Sequence, residues 1–347
     1  MSTRSTSPTM KDVAKKAGVS SSTVSRILSG SDCAIPISQA TRQRVIEVVQ
    51  EMGYRPNPFA LALRKGETKL LGVILRDIDD PFFARLVKAL SGAVRLQGYN
   101  LILGDAHSSP DVALILSGIL DARHCAGIFL LGDIGKDRGL VEEVHRHHRW
   151  VVAVCRAGLP TTMPAVAVDN RSGVLMALDY LEALGHSRIA FLDGGRLGDI
   201  RERRSAFENA MAPRELNLLS QYVQTNSNDP PGGYQAMQRL LALENPPTAV
   251  LCSDDMMALG ALQAAAHANV RVPDDVSVVG FDDLDVAHFT VPALTTVRQP
   301  VDEIAVRASG AMMALLADKP ATGQPREILL QPELVVRHST GPEPTRR

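Results

Sequence analysis

Between Ser20 and Arg26 the chain reads Ser-Ser-Ser-Thr-Val-Ser-Arg, five hydroxyls and a guanidinium in seven residues. Hydroxyls compete for backbone hydrogen bonds and are poor company in a helix interior. At a helix N-terminus they are useful, because free N–H groups and the positive dipole end suit phosphate oxygens, and short side chains allow a close approach. An arginine one turn on can pair bidentately with guanine. On that chemistry Ser21, Ser22 and Arg26 face base edges, Thr23 and Ser25 face the phosphodiester backbone, and Ser20 caps the helix beside them. A second set is Asp80, Asp254 and Asp282 with Arg156, Arg203, Phe82 and Phe83. Carboxylates and a guanidinium converging on a cleft can hold a ring of hydroxyls while an aromatic side chain lies on its apolar face.

Each set needs elements to position it. "TMKDVAKKAG" offers Thr9 as N-cap, Asp12 three residues later and Gly18 as a stop, which predicts a first helix. Ser20 then caps a second, with Val24, Ile27 and Leu28 turned towards the first. Ser38 caps a third, whose stripe is Val45, Val49 and Met52 before Gly53. Such a bundle is a helix-turn-helix, in which the start of the second helix enters the major groove of DNA. Charge agrees. The net charge is −1, but residues 1–66 hold ten Lys/Arg against four Asp/Glu, so a basic head sits on an acidic body.

Next comes "RPNPFALALRKGET". Asn57 is a good N-cap and Pro58 suits the first helical position, which predicts a helix over 58–64. It is too short to hold alone in water and would form only against a partner. Leu63, beside Arg64 and Lys65, has the character of an apolar wedge flanked by cations, as in minor-groove binding. From about residue 70 the rhythm changes. Apolar runs such as "LLGVIL", "YNLILG", "AGIFLLG" and "WVVAVC" alternate with amphipathic stretches, and the pattern repeats with "RIAFLDG", "YVQT", "TAVLCSDD" and "VSVVGFDD". That alternation predicts two Rossmann-like subdomains, each a parallel sheet covered by helices. Ligands bind beyond the carboxyl ends of such strands. Asp77–Phe83, Arg156, Asp254 with Asp255, and Asp282 with Asp283 all fall there, and Asp255 is read as a helix N-cap.

The head motifs Lys-Asp-Val-Ala, Ala-Gly-Val-Ser, Thr-Val-Ser-Arg and Gly-Tyr-x-Pro-Asn, continued by "GVILRDIDDPFFARLV", "VAVDN", "LGHSRIAFL", "VPDDVSVVGFDD" and "PALTTVRQP", resemble the lactose-repressor (LacI/GalR) family of bacterial transcription regulators. The resemblance runs to about residue 338. It implies a small all-α helix-turn-helix head on a periplasmic-binding-protein-like α/β body. The domains would be 9–55 for DNA binding, 56–68 for a hinge helix and linker, and 69–340 for effector binding and dimerisation. The N-subdomain would take about 69–167 and 299–325, the C-subdomain about 168–298 and 326–340, with chain crossings near 166–170, 297–301 and 324–328. Leu63 would pair with the same leucine of a second subunit. Arg203 and Asp282 fall on the family's effector-binding arginine and aspartate. Asp254 falls where many sugar-responsive members carry Asn, which leaves an acceptor alone where they have a donor and an acceptor.

These readings converge on a ligand-responsive regulator, expected to be a repressor, that binds a near-palindromic double-stranded operator as a homodimer and holds a small metabolite, a sugar or sugar derivative, in the cleft. A nucleobase- or nucleoside-responsive regulator and a stand-alone sugar-binding protein of periplasmic type are the alternatives. No cofactor, metal or catalysis is expected. GxGxxG and GxSxG are absent, "GGRLG" at 194–198 has the wrong spacing, and Cys33, Cys125, Cys155 and Cys252 show no CxxC spacing. His145, His147 and His148 read as a solvated polar helix face. "MSTRSTSPTM" has no apolar core and no run reaches eighteen apolar residues, so a cytoplasmic, nucleoid-associated protein without a membrane span is expected.

Overall fold

The computed structural model describes residues 8–29, 36–54, 68–121, 124–134, 138–155, 163–195, 198–214, 216, 219–317 and 327–345. They form two compact units, 1–68 and 69–347. The first unit holds α1 (Met10–Ala17), α2 (Ser21–Ser29) and α3 (Gln39–Glu51). Thr9 and Asp12 form a reciprocal capping box on α1, and Gly18 leaves it at φ +65°, a conformation only glycine adopts without strain. Ser38 caps α3 through the Thr41 N–H. Val13, Ala14, Ala17, Val24, Ile27, Val45 and Val48 close the core between them. Val48 thus takes the central place the sequence assigned to Val49, which with Met52 and Leu28 packs at its margin.

The second unit carries two six-stranded sheets. The first contains β1 (Leu70–Leu75), β2 (Asn100–Asp105), β3 (Ile128–Leu131), β4 (Val151–Val154), β5 (Ala165–Val168) and β11 (Glu327–Leu330), in the order β2-β1-β3-β4-β5-β11. The second contains β6 (Ile189–Asp193), β7 (Val223–Thr225), β8 (Ala249–Cys252), β9 (Ser277–Asp282), β10 (Thr295–Arg298) and β12 (Glu333–Val335), in the order β7-β6-β8-β9-β10-β12. The pairings are parallel, except that β12 runs antiparallel to β10 with Thr296 opposite Val335. Runs of four to six buried residues in β3, β4, β6, β8 and β9 reflect sheets covered on both faces.

Around the first sheet lie α4 (Pro81–Leu96), α5 (Pro110–Ile119) and α6 (Arg138–His147); around the second, α7 (Asn170–Ala183), α8 (Gly198–Met211), α9 (Pro230–Leu241) and α10 (Asp255–His267). The last helix, α11 (Val301–Leu316), leaves β10 of the second sheet and packs Ile304, Ala308 and Met312 into the core of the first, beside Leu86, Leu90 and Val94 of α4. The chain also passes from β5 to α7 at Asp169, whose N–H donates to Leu330 O at 2.8 Å, and from β11 to β12. The anticipated architecture of an α-helical head and a doubly wound, two-sheet body is the one observed.

Helices α9 and α10 touch backbone to backbone. A Cβ on Gly260 would lie 1.9 Å from Pro230 O and 2.5 Å from Tyr234 N, and one on Gly233 would lie 2.1 Å from Met257 O. Main-chain atoms cannot rotate away, so the helices would have to separate. Gly260→Ala is expected to cost about 3 kcal/mol, the upper end of overpacking, measured as a shift in the urea midpoint at constant slope. A cost below about 1 kcal/mol would mean that the two helices part easily.

Candidate functional site

In the head, Ser20 accepts the Thr23 N–H at 3.1 Å, and its Oγ lies 2.7 Å from Ser22 Oγ and 2.8 Å from Thr23 Oγ1. The hydroxyl cluster therefore begins as a cap and continues as a row of small polar groups along the first turn of α2. Ser20 and Ser22 are exposed, while Ser21, Thr23 and Arg26 are half-buried. Ser25 departs from its expected role: at 1% exposure it belongs to the interior of the bundle and has no surface to offer a phosphate. Asn57, Leu63 and Arg64, with the whole 58–64 segment, lie outside the described residues, as does Arg156.

In the body, the strand ends meet where the two sheets face each other. Arg203, from the first half of α8, is 2% exposed. Its Nε donates to Asn170 Oδ1 at 2.9 Å, its Nη1 donates to Ser253 O at 2.6 Å, and it lies over the Phe281 ring at 3.7 Å from the centroid. Asp282, at the end of β9, lies 3.4 Å from Arg203 Nη1 and accepts from Gln299 Nε2 at 2.5 Å. Asp282 is 6% exposed. Burial pushes its carboxyl well above the usual range despite the arginine. Asp282 has φ +108°, Asp283 φ +53° and Cys155 φ +53°. Three non-glycine residues at positive φ in one place mark a strained backbone of the kind held at functional sites.

A cavity of about 380 Å³ opens beside this pair. One wall is Arg76, Asp77, Asp79, Asp80 and Ser108 from the first sheet's side, and the other is Asn228, Asp229, Asp254 and Met256 from the second's. Asp80 caps α4 by accepting the Phe82 N–H, and Asp254 caps α10 by accepting the Met257 N–H. The cap of α10 is thus Asp254, not Asp255 as the sequence suggested. Asp255 is buried instead, accepting from Thr296 Oγ1 at 2.6 Å and Leu284 N at 2.7 Å. Phe82 and Phe83 do not stand on the cavity wall: both are buried in the first subdomain's core, set edge to face 5.4 Å apart. Arg203 and Asp282 lie behind the described lining rather than in it.

Sequence reasoning passed over Arg76, one residue before the stretch it nominated. Its guanidinium is 3% exposed, 2.6 Å from Asp80 Oδ2, 3.1 Å from Asp199 Oδ1 and 4.6 Å above the Phe83 ring. Asp199 belongs to α8, so this ion pair joins the two subdomains. Burial opposes ionisation of Asp199, yet Arg76 and Arg203 together hold it below the usual carboxylate range. Arg85 makes a second link, donating to Asp283 O at 2.7 Å. A cation ending a buried apolar strand was the available signal. His148 also differs from expectation, being buried with Nε2 3.1 Å from Ser117 O. Among the described residues no three His, Cys, Asp or Glu side chains gather as a metal site. No helix is long and apolar enough to cross a membrane.

Burial pushes the Asp255 carboxyl up to about 8. Unfolded, it would titrate near 4. The folded state then keeps a proton that the unfolded chain has released, so stability falls as pH rises through that window and levels off above 8. Melting temperatures from pH 5 to pH 8.5 are expected to decline in the native protein and to decline less in Asp255→Asn. The variant keeps the neutral pattern of bonds, its amide oxygen accepting the Leu284 N–H and its NH2 donating to Thr296 Oγ1. A native melting temperature that climbs across the window would contradict this.

Two family profiles match the chain: bacterial regulatory proteins of the lacI family at residues 9–57, and a periplasmic binding protein-like domain at residues 178–340. The HTH-type transcriptional repressor CytR of Escherichia coli K12 is 35% identical over 340 residues, spanning 96% of this chain and 97% of CytR. Among solved structures, the regulator CelR in complex with cellobiose superposes with a TM-score of 0.71 at 28% identity, over 96% of this chain and 99% of that one. The lac repressor dimer bound to operator and the anti-inducer ONPF shares the fold with a TM-score of 0.84 at 24% identity, over 97% of this chain and all of that one. The capped recognition turn, the two-sheet body and similarity along almost the whole length agree, and the chain belongs to the lacI family of bacterial regulatory proteins, as a DNA-binding transcriptional regulator.

Proposed function

We propose that this regulator is a repressor that binds a near-palindromic operator as a homodimer and releases or tightens its hold when a small metabolite enters the cleft between the two sheets. The observation that carries the effector half is the 380 Å³ cavity walled by both subdomains and backed by the Arg203–Asp282 pair. A ligand touching both walls has different contacts in differently closed forms, and only such a difference can shift a conformational equilibrium. The relatives' names agree in kind: CytR is a repressor, and CelR was solved with cellobiose.

On the DNA side, Ser21, Ser22 and Arg26 read bases and Thr23 contacts the backbone, with Ser20 shaping the turn; the proposed wedge is Leu63, flanked by Arg64 and Lys65, on a hinge segment that Asn57 begins. For pairing of subunits, Leu103 on the edge strand β2 and Ile115 and Ile119 on α5 leave large apolar side chains exposed. A two-fold partner would cover such a surface. Action on the chromosome places the protein in the cytoplasm, at the nucleoid, and no catalytic role is assigned.

The test separates the two halves. Deleting residues 1–66 should abolish operator binding and leave ligand binding intact. Within the full chain, Arg26→Ala should cost about 1–3 kcal/mol on the specific site and relax discrimination at one base pair per half-site. Binding assays on operator variants check this. An equal loss on every sequence would make Arg26 a phosphate contact.

A further inference from the structure

Asn170 closes the "VAVDN" stretch and is the first residue of α7, one position past the point where the chain leaves the first subdomain. At 7% exposure it is held between two partners. Its Oδ1 accepts from Arg203 Nε at 2.9 Å, and its Nδ2 donates to Glu202 Oε2 at 2.8 Å. Turning the amide over would set NH2 against guanidinium and carbonyl against carboxylate, so Glu202 fixes which end Arg203 meets. The guanidinium is then fastened on two sides, to Asn170 through Nε and to Ser253 O through Nη1 at 2.6 Å. Nη2 has no hydrogen-bond partner among the described residues, although Arg203 is only 2% exposed. That nitrogen is the end left for a ligand.

One peptide bond joins Asn170 to Asp169. The Asp169 N–H donates to Leu330 O at 2.8 Å and its Oδ2 accepts from Gln331 Nε2 at 3.4 Å, so two of the chain crossings meet there. Asn170 and Glu202 also border a cavity of about 510 Å³, shared with Glu327 and Leu329 of β11, which gives them room to shift without repacking the core. We infer that Asn170 is a positioning residue of the switch: it orients Arg203 for the effector and ties the guanidinium to the crossing at Asp169, so that a ligand drawing on Nη2 moves the crossing with it. The inference rests on reading Arg203 as an effector contact. A chain of contacts counts as coupling only when changes at its links fail to act independently.

The experiment is hydrogen exchange of the full-length protein, read by NMR without ligand. Two reporters are followed: the Asp169 N–H, and the Ser277 N–H, which donates to Thr248 O at 2.9 Å at the opposite end of β9 from Asp282. A general loss of stability speeds both, whereas a cut tie speeds Asp169 alone. Asn170→Ala and Arg203→Lys are each expected to speed Asp169 about tenfold and to leave Ser277 within about twofold. Because both cut the same link, the double variant should exchange no more than about threefold faster than the faster single one. Glu202→Gln, which keeps an acceptor for Nδ2, should stay within about twofold of the native rate, and Glu202→Ala should exceed it several-fold. Should Arg203→Lys fail to fold, the Arg203 Nε–H signal reads the same link and should exchange about tenfold faster in Asn170→Ala. An Asp169 rate that Arg203→Lys does not move, an Nε–H rate that Asn170→Ala does not move, a double variant equal to the product of its singles, or Ser277 rising in step with Asp169 overturns the positioning role. These rates need no ligand, so they stand or fall apart from the effector reading, which a ligand titration of Asp282→Asn tests.

Discussion

Arg76→Met is expected to cost the body about 3 kcal/mol, more than any other side-chain truncation around the cleft. The size follows from what is left behind. Arg76 is 3% exposed and is the shared partner of Asp80 and Asp199, whose side chains are 22% and 17% exposed. Methionine keeps most of the apolar stem over Phe83 but leaves two largely desolvated carboxylates facing each other without the cation between them, Arg203 remaining near Asp199 alone. Their partial exposure lets water relieve some of that repulsion, which places the cost at the low end of the range for breaking a buried ion pair. The double variant Arg76→Met/Asp199→Asn should regain more than half of the loss, since it removes the repulsion between the two carboxylates. Urea unfolding of the native protein, both single variants and the double variant checks this. Simple additivity would show that Arg76 and Asp199 do not interact in solution.

The same residue shows where legibility ended. The α/β alternation, the head's capping residues and the recognition turn could be read from the chain because each is local: a cap three residues from its N–H, an apolar run of four or more, a glycine at a left-handed stop. β5, β10, β11 and β12 could not be read as strands from periodicity. They are three or four residues long, Thr295 and Thr296 interrupt the apolar character of β10, and β11 and β12 exist through pairing with Ala165–Val168 and Thr296–Arg298, far away in sequence. The site divides in the same way. Strand ends nominated Asp80, Asp254 and Asp282, and a helix start nominated Arg203. Which of these face open space was decided by long-range packing: Phe82 and Phe83 turned into the core under α11, Arg203 was covered by Asn170 and Ser253, and Arg76 was drawn inward by Asp199. Asp254 took the cap expected of Asp255 for a related reason. The chain gives two adjacent carboxylates ahead of a helix, and only the position of Thr296 and Leu284 determines which one is pulled into the interior.

Asp282→Asn is expected to abolish the ligand response while leaving operator affinity without ligand within about twofold. Asparagine is the right replacement because residue 282 has φ +108°, and Asn tolerates positive φ better than alanine does. It preserves shape and can still accept from Gln299 Nε2, but it replaces the ionisable carboxyl that Arg203 faces at 3.4 Å with a neutral amide. Arg203 keeps its bonds to Asn170 and Ser253, so the floor should stay folded; what changes is the electrostatic balance between the floor and whatever lies above it. Residue 282 belongs to the body unit and the recognition turn to the head unit, so the empty protein should hold its operator as before. Coupling is reciprocal: if ligand changes operator affinity by some factor, operator changes ligand affinity by the same factor. The variant should therefore lose both halves together. The measurement is an operator titration of native protein and variant, each with and without a ligand found by screening, paired with a ligand titration with and without operator. A variant that responds at the native ligand concentration would remove Asp282 from the switch. One that binds ligand normally but no longer passes the signal to operator would keep it in the switch and take it out of the binding site.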